Sequence, residues 1–280
     1  MPFLHPADRN GEWVSPPFAN PPFFSTSSTL PLAGLYAFTR KHIHTMTRVV
    51  ISVGGSVLVP SLDAHRLKEW AGTLIRLHEA GIQVFAVVGG GGEARRYINA
   101  CRDVGLDEAS SDEIGIKVTR INAALLIGAL GEHAYPRAAE SYLQAKEFAL
   151  SGKIVIMGGV TPGQTTDAVS AVLAEEAGAS MMVNMTAVDG IYSADPKKDP
   201  SAKKFDIMSP QELIDLIMKE KMNAGSNMVI DLVAAKVTER SGIPLVVIDG
   251  RDTTLLEKAL IDGEFHGTVV GNEAVSFPIV

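Results

Sequence analysis

From residue 48 onward, short apolar runs alternate with stretches of helical spacing. Arg48-Val49-Val50-Ile51-Ser52-Val53 is an apolar run that stops at Gly54-Gly55. Residues 62–80 carry apolar positions at helical spacing and end at Gly81, a residue suited to the left-handed position after a helix. Residues 82–88 are apolar almost throughout, as in a strand buried on both faces. Gly89 to Gly92 then lead into a helix expected to reach about Val104. Residues 112–131 read as a long helix opened by Asp112. Further buried strands are expected over 153–157 and 180–185, with a helix over 166–177 between them. The segment 188–192, around Asp189-Gly190, predicts a hairpin. Helices over 210–218, 229–240 and 253–261 and strands over 244–248 and 267–270 complete the pattern. Such alternation predicts an α/β fold, a three-layer αβα sandwich with a largely parallel central sheet. No repeat or linker divides residues 46–280, which read as one domain.

Residues 1–45 lack either period. They hold 7 of the 15 prolines and 7 of the 17 aromatic residues, and Pro16-Pro17 and Pro21-Pro22 would break a regular element. The uncharged stretch 15–39 is interrupted by five prolines and so is not expected to span a membrane. A secretory signal would need a basic start and a clean apolar run. Met46 stands directly before the first strand and is the expected natural start, with 1–45 as a disordered extension.

Composition narrows the function. Hydrophobic residues make up 46% of the chain, enough for a large core. The formal net charge of −7 disfavours broad binding to nucleic acid or to an anionic membrane, which needs a basic face. A small anion remains compatible, because backbone N–H groups at a helix N-terminus hold phosphate without net positive charge. Cys101 is the one cysteine, which excludes an intrachain disulfide or a cysteine-based zinc site and fits a reducing cytoplasm.

Three strands run into glycine: Gly54-Gly55-Ser56, Gly89-Gly90-Gly91-Gly92, and Gly158-Gly159 with Pro162-Gly163 beyond. Glycine lets a backbone approach a ligand, and equally lets two backbones pack. Three such turns at strand ends favour phosphate binding, since α/β folds place ligands at the carboxyl ends of their strands. No Gly-Lys-Ser/Thr follows, so none is a Walker A loop, and none is a clean G-x-G-x-x-G. Nearby polar candidates are Arg95, Asp112, Thr165, Thr166 and Asp167. Each has an ordinary reading too, as a helix-opening residue or solvated surface.

Taken in order, Gly54-Gly55-Ser56-Val57-Leu58-Val59-Pro60, Val87-Val88-Gly89-Gly90-Gly91, Met157-Gly158-Gly159, Thr165-Thr166-Asp167-Ala168 and Val188-Asp189-Gly190-Ile191-Tyr192-Ser193-Ala194-Asp195-Pro196 resemble the amino-acid kinase superfamily. With Asp112-Glu113-Ile114-Gly115-Ile116, the set is similar to the archaeal form of its uridylate kinase branch. The resemblance covers about 47–270. It implies transfer of the γ-phosphoryl group of ATP to UMP, with Mg²⁺ carried by ATP rather than by direct protein ligands, in pyrimidine nucleotide biosynthesis. It implies ATP binding by Gly55, Ser56, Gly91, Arg95, Thr186, Tyr192 and Asp195. It implies UMP binding by Gly90, Asp112 and the loop Val160, Thr161, Pro162, Gly163, Gln164, Thr165 and Thr166. Arg95 and Asp167 take the catalytic roles, Asp112 would accept from a ribose hydroxyl, and the assembly would be a cytoplasmic homohexamer.

Two positions depart from the family pattern. Ser52 stands where many members carry a first-strand Lys, although the archaeal branch also lacks it. That leaves Arg95 and Mg²⁺, with Lys197 or Lys198, as the charges near the transferring group. Ala187 stands where an Asn usually follows the Thr. The alternatives are a sister kinase for isopentenyl phosphate or an amino-acid carboxylate, and a non-catalytic binding protein on the same scaffold.

Overall fold

The buried apolar runs become strands of one sheet. The computed structural model describes residues 46–196, 198–221, 230–272 and 275–280. The expectations for 1–45 and for Lys197 lie outside the described residues. The strands are β1 (Arg48–Val53), β2 (Gln83–Val88), β3 (Val155–Met157), β4 (Met181–Thr186), β5 (Ile191–Tyr192), β6 (Lys204–Phe205), β7 (Ile207–Met208), β8 (Leu245–Asp249) and β9 (Thr268–Val270). The helices are α1 (Gly55–Leu58), α2 (Ala64–Glu79), α3 (Gly91–Asp103), α4 (Glu108–Leu130), α5 (Tyr142–Ala149), α6 (Thr166–Ala177), α7 (Pro210–Lys221), α8 (Leu232–Ser241) and α9 (Thr254–Glu257), the last continuing as a π-helical turn, Lys258–Asp262.

Among the described residues, seven strands form one sheet in the order β3-β2-β1-β4-β8-β9-β7. All its pairings are parallel except β8 with β9. The period of two along β1 divides the core between two faces. Val49, Ile51 and Val53 meet Trp70, Leu74 and Leu77 of α2, Leu126 of α4 and Leu256 of α9. Val50 instead meets a second cluster with Phe148 of α5, Leu173 of α6, Leu213 of α7 and Ala234 of α8. Helices therefore cover both faces, giving the expected three-layer sandwich. Fully burying each Val or Leu contributes about 1.5–3 kcal/mol, so these two clusters dominate stability.

Chain order places the site. From β1 the chain steps outward to β2 and β3, then returns to β4 on the other side of β1. The reversal opens a crevice at the carboxyl ends of β1 and β4, where such sheets bind ligands.

Three local expectations need correction. Asp112 does not open its helix. α4 begins at Glu108, with Asp107 accepting from the Ser110 backbone N–H at 2.8 Å as the N-cap. Asp112 lies one turn inside. The segment around Asp189-Gly190 does not turn a hairpin either: β5 pairs antiparallel with β6, so the chain between them runs through 193–203. The connection after α4 also contains a helix that the pattern did not separate, α5, capped by the Ser141 hydroxyl accepting from the Gln144 N–H.

Candidate functional site

The first two glycine loops touch. A Cβ on Gly55 would lie 2.1 Å from the backbone N of Gly91, and one on Gly89 would lie 2.6 Å from the N of Gly55. Gly91 also has φ +65°, a conformation that side chains other than glycine's rarely adopt. These three glycines thus serve backbone packing, and that packing sets two turns side by side at the crevice. Gly55→Ala is expected to cost about 1–3 kcal/mol, because backbone rather than a mobile side chain meets the new methyl. Denaturant unfolding measures it; unchanged stability would show that the loops separate freely. Among the described residues, the N–H groups of Gly90, Gly91 and Gly92 donate to nothing, as expected at the start of α3. They and the helix dipole favour an anion there.

One face of α4 holds the other loops. The Asp112 Oδ2 accepts from the backbone N–H of Gly163 at 2.7 Å, and Asp112 Oδ1 accepts from nothing among the described residues. The Thr119 hydroxyl accepts from the Gly159 N–H at 2.7 Å and donates to the Ile116 carbonyl at 2.6 Å. The buried Asn122 amide donates to the carbonyls of Gly89 at 3.0 Å and Gly90 at 3.4 Å. Thr119 and Asn122 were not among the sequence-derived candidates. Their signal is a polar pair three residues apart on the buried side of an apolar helix.

The loop from Val160 to Thr166 is otherwise mostly exposed. Gln164 accepts from the Tyr142 hydroxyl at 3.4 Å. Thr165 caps α6 by accepting from the Ala168 N–H, and its hydroxyl donates to Asp231 Oδ2. Asp231 itself caps α8 through the Ala234 N–H at 2.8 Å. The next residue but one, Asp167, accepts from the hydroxyl of fully buried Ser52 at 2.9 Å. Burial above all, opposed by the Ser52 hydrogen bond and helped by the nearby Asp231 charge, raises the Asp167 carboxyl to about 6. The first strand is thus joined to Asp167 by a neutral hydroxyl. In the sheet Ser52 lies between Val87 of β2 and Asn184 of β4.

The remaining candidates are spread around this centre. Ser56 is exposed on α1. Thr186 ends β4, with its carbonyl accepting from the Gly250 N–H at 2.7 Å. The Tyr192 hydroxyl donates to Asp189 at 3.0 Å; partial burial and that acceptor raise its pKa. Asp195 lies 3.8 Å from the ammonium of Lys198, so that cation is already engaged. Arg95 stands one turn into α3, exposed, with no hydrogen bond or ion pair among the described residues. Ala187 follows Thr186 and has no side-chain polar group to offer.

The model of the Amino acid kinase family matches residues 47–249. The chain belongs to the amino acid kinase family. Within that family, it is 82% identical over 235 residues to "Uridylate kinase" of Methanocorpusculum labreanum, covering 84% of this chain and 100% of that relative. It is 56% identical over 228 residues to "Uridylate kinase" of Methanoculleus marisnigri, covering 81% of this chain and 97% of the relative. The crystal structure of uridylate kinase from Archaeoglobus fulgidus superposes with a TM-score of 0.72 at 45% identity, over 80% of this chain and 99% of that one. The family match spans all three glycine turns, the α4 contacts and the Ser52–Asp167 pair.

Proposed function

We propose that this site transfers the γ-phosphoryl group of ATP to UMP, giving UDP and ADP, as a step of pyrimidine nucleotide synthesis. The observation that carries the reading is the meeting of the two glycine turns at the sheet's switch point, with the unpaired N–H groups of Gly90, Gly91 and Gly92 beside them. Phosphoryl transfer needs positioning and charge stabilisation more than covalent chemistry, and two adjoining anion-binding turns supply both. The identity to uridylate kinases over nearly their full length supports the acceptor.

In this reading Gly55, Ser56 and Gly91 meet the ATP phosphates, and Thr186, Tyr192 and Asp195 form the adenosine side. Gly90 meets the UMP phosphate, and the loop from Val160 to Thr166 wraps the nucleoside. Mg²⁺ travels on ATP and neutralises charge on its phosphates. No group of three or more His, Cys, Asp and Glu side chains gathers among the described residues. The excess negative charge of Asp167 and Asp231 is the feature that fits an incoming cation. The enzyme works in the cytoplasm as a homohexamer, a state carried by the family resemblance.

A coupled assay with ATP and UMP, CMP or isopentenyl phosphate tests the acceptor; turnover of UMP alone or strongly preferred is expected. No turnover of any acceptor would leave a binding protein. Asp112 refines the test. Its Oδ2 holds Gly163, and its Oδ1 is left to accept from a ribose hydroxyl. A hydrogen bond to a charged acceptor contributes about 1.5–3 kcal/mol, so UMP should exceed dUMP by at least about tenfold in kcat/KM. Asp112→Asn keeps an oxygen for Gly163 and loses the charge, so it should narrow that gap. An unchanged UMP/dUMP ratio would reduce Asp112 to a loop anchor.

A further inference from the structure

We infer that Asn122 is a positioning residue for the acceptor phosphate, acting through the backbone of Gly89 and Gly90, and that Thr119, one turn earlier on α4, does the same for the nucleoside loop. The inference rests on the UMP reading above. A peptide unit is planar and trans, so its C=O and N–H point in opposite directions. A donor that holds the Gly89 carbonyl therefore aims the N–H of Gly90 away from α4. Holding the Gly90 carbonyl does the same for the N–H of Gly91. The Asn122 amide makes both contacts, the shorter one to Gly89. The two N–H groups it turns outward are among those that donate to nothing in the described structure. The Gly90 carbonyl also accepts from the Ala94 N–H at 3.3 Å, within α3 itself, so the Asn122 hold is strongest on the Gly89–Gly90 peptide.

Thr119 works with the opposite polarity. Its hydroxyl accepts from Gly159, which ties down an N–H at the root of the loop that continues through Val160 to Thr166. Asp112 pins the same loop at Gly163, ten residues before Asn122, about 15 Å along one helix. Each α4 side chain thus sets a different stretch of backbone.

The experiment compares UMP with uridine, which lacks the phosphate. In wild type, UMP turnover checks the underlying reading, and uridine is measured as a competitive inhibitor against UMP. Asn122→Ala removes both donors. The KM for UMP should rise about tenfold, while the inhibition constant of uridine changes less than twofold. Asn122→Asp keeps the shape and replaces the donor by an acceptor; it should give the same pattern and serves if the alanine variant does not fold. Thr119→Val removes the hydroxyl, and UMP and uridine should weaken together, with Thr119→Ser restoring both. A general loss of packing would lower the melting temperature of the Asn122 variants and weaken UMP and uridine equally, or leave both intact. Either result overturns the inference, as does a phosphate-only effect from Thr119→Val. Wild type that turns over no UMP would instead remove the reading on which it rests.

Discussion

Arg95→Ala is expected to lower kcat by about 10²–10³-fold, the usual cost of removing one group that stabilises transition-state charge. The melting temperature should stay within about a degree. Arg95 is exposed and makes no hydrogen bond or ion pair among the described residues, and surface changes of that kind seldom exceed about 0.5 kcal/mol. Two structural observations support the expected fall in kcat. Ser52 gives the first strand a neutral hydroxyl, and that hydroxyl is committed to Asp167. Lys198 faces Asp195. Arg95 stands one turn beyond Gly91, where the two glycine turns adjoin. An interaction made only in the transition state appears in kcat, whereas one made equally with bound substrate appears in KM. Arg95→Lys should recover part of the rate, because a point charge replaces a planar fork. Steady-state kinetics with UMP and ATP varied separately decide it. A tenfold rise in the KM for UMP at constant kcat would give Arg95 to substrate binding.

The layers of this fold were legible because its central strands are buried on both faces. β1, β2 and β4 read as mainly apolar runs, interrupted inside only by Ser52 and Asn184, and no helical period competes with them. Helix boundaries were less legible. The pattern starts α4 at Asp112, yet Glu108-Ala109-Ser110-Ser111 already forms its first turn after the Asp107 cap, with Ser111 buried. Asp189-Gly190 is a turn-like pair that the chain uses differently: Gly190 sits at φ +151°, and a Cβ there would meet the Thr268 hydroxyl at 2.7 Å. Its presence answers to a tertiary contact that local pattern cannot reveal.

The glycine turns answer to backbone packing. Gly55, Gly89 and Gly91 are required by backbone packing, and that packing leaves neighbouring N–H groups unpaired at the crevice. What stayed hidden was the support beneath them. Thr119 and Asn122 are unremarkable as letters in a helix. Their role depends on which loop lies opposite, and that is settled by the return of the chain from β3 across β1. Asp231 lies within the helix expected over 229–240, whereas it caps α8, and its second oxygen accepts from the Thr165 hydroxyl.

Asp167→Asn is expected to stabilise the protein and to inactivate it. The carboxyl is raised from 3.8 to about 6, chiefly by burial and further by the Asp231 charge, so the folded state holds its proton more tightly than the unfolded chain does. Between those two values the unfolded state releases the proton first, and stability falls as pH rises. The full penalty, about 3 kcal/mol for a shift of about two units, is present above pH 6 and absent below about pH 4. Asparagine resembles the protonated form, keeps an acceptor for the Ser52 hydroxyl and removes the repulsion from Asp231. The variant should therefore melt about 6–12 °C higher at pH 7.5, with the gain shrinking towards zero near pH 4. Wild type accepts this strain in a site that works on charged phosphates, and groups with perturbed pKa values collect at such sites. Arrival of Mg²⁺ with ATP would favour the ionised carboxylate, which the asparagine cannot supply, so kcat should fall by at least about tenfold. Melting curves of both proteins from pH 4 to 8, with kcat measured at pH 7.5, separate the possibilities. A stability gain that does not depend on pH would assign the effect to packing, and full activity in the more stable variant would remove Asp167 from the catalytic centre.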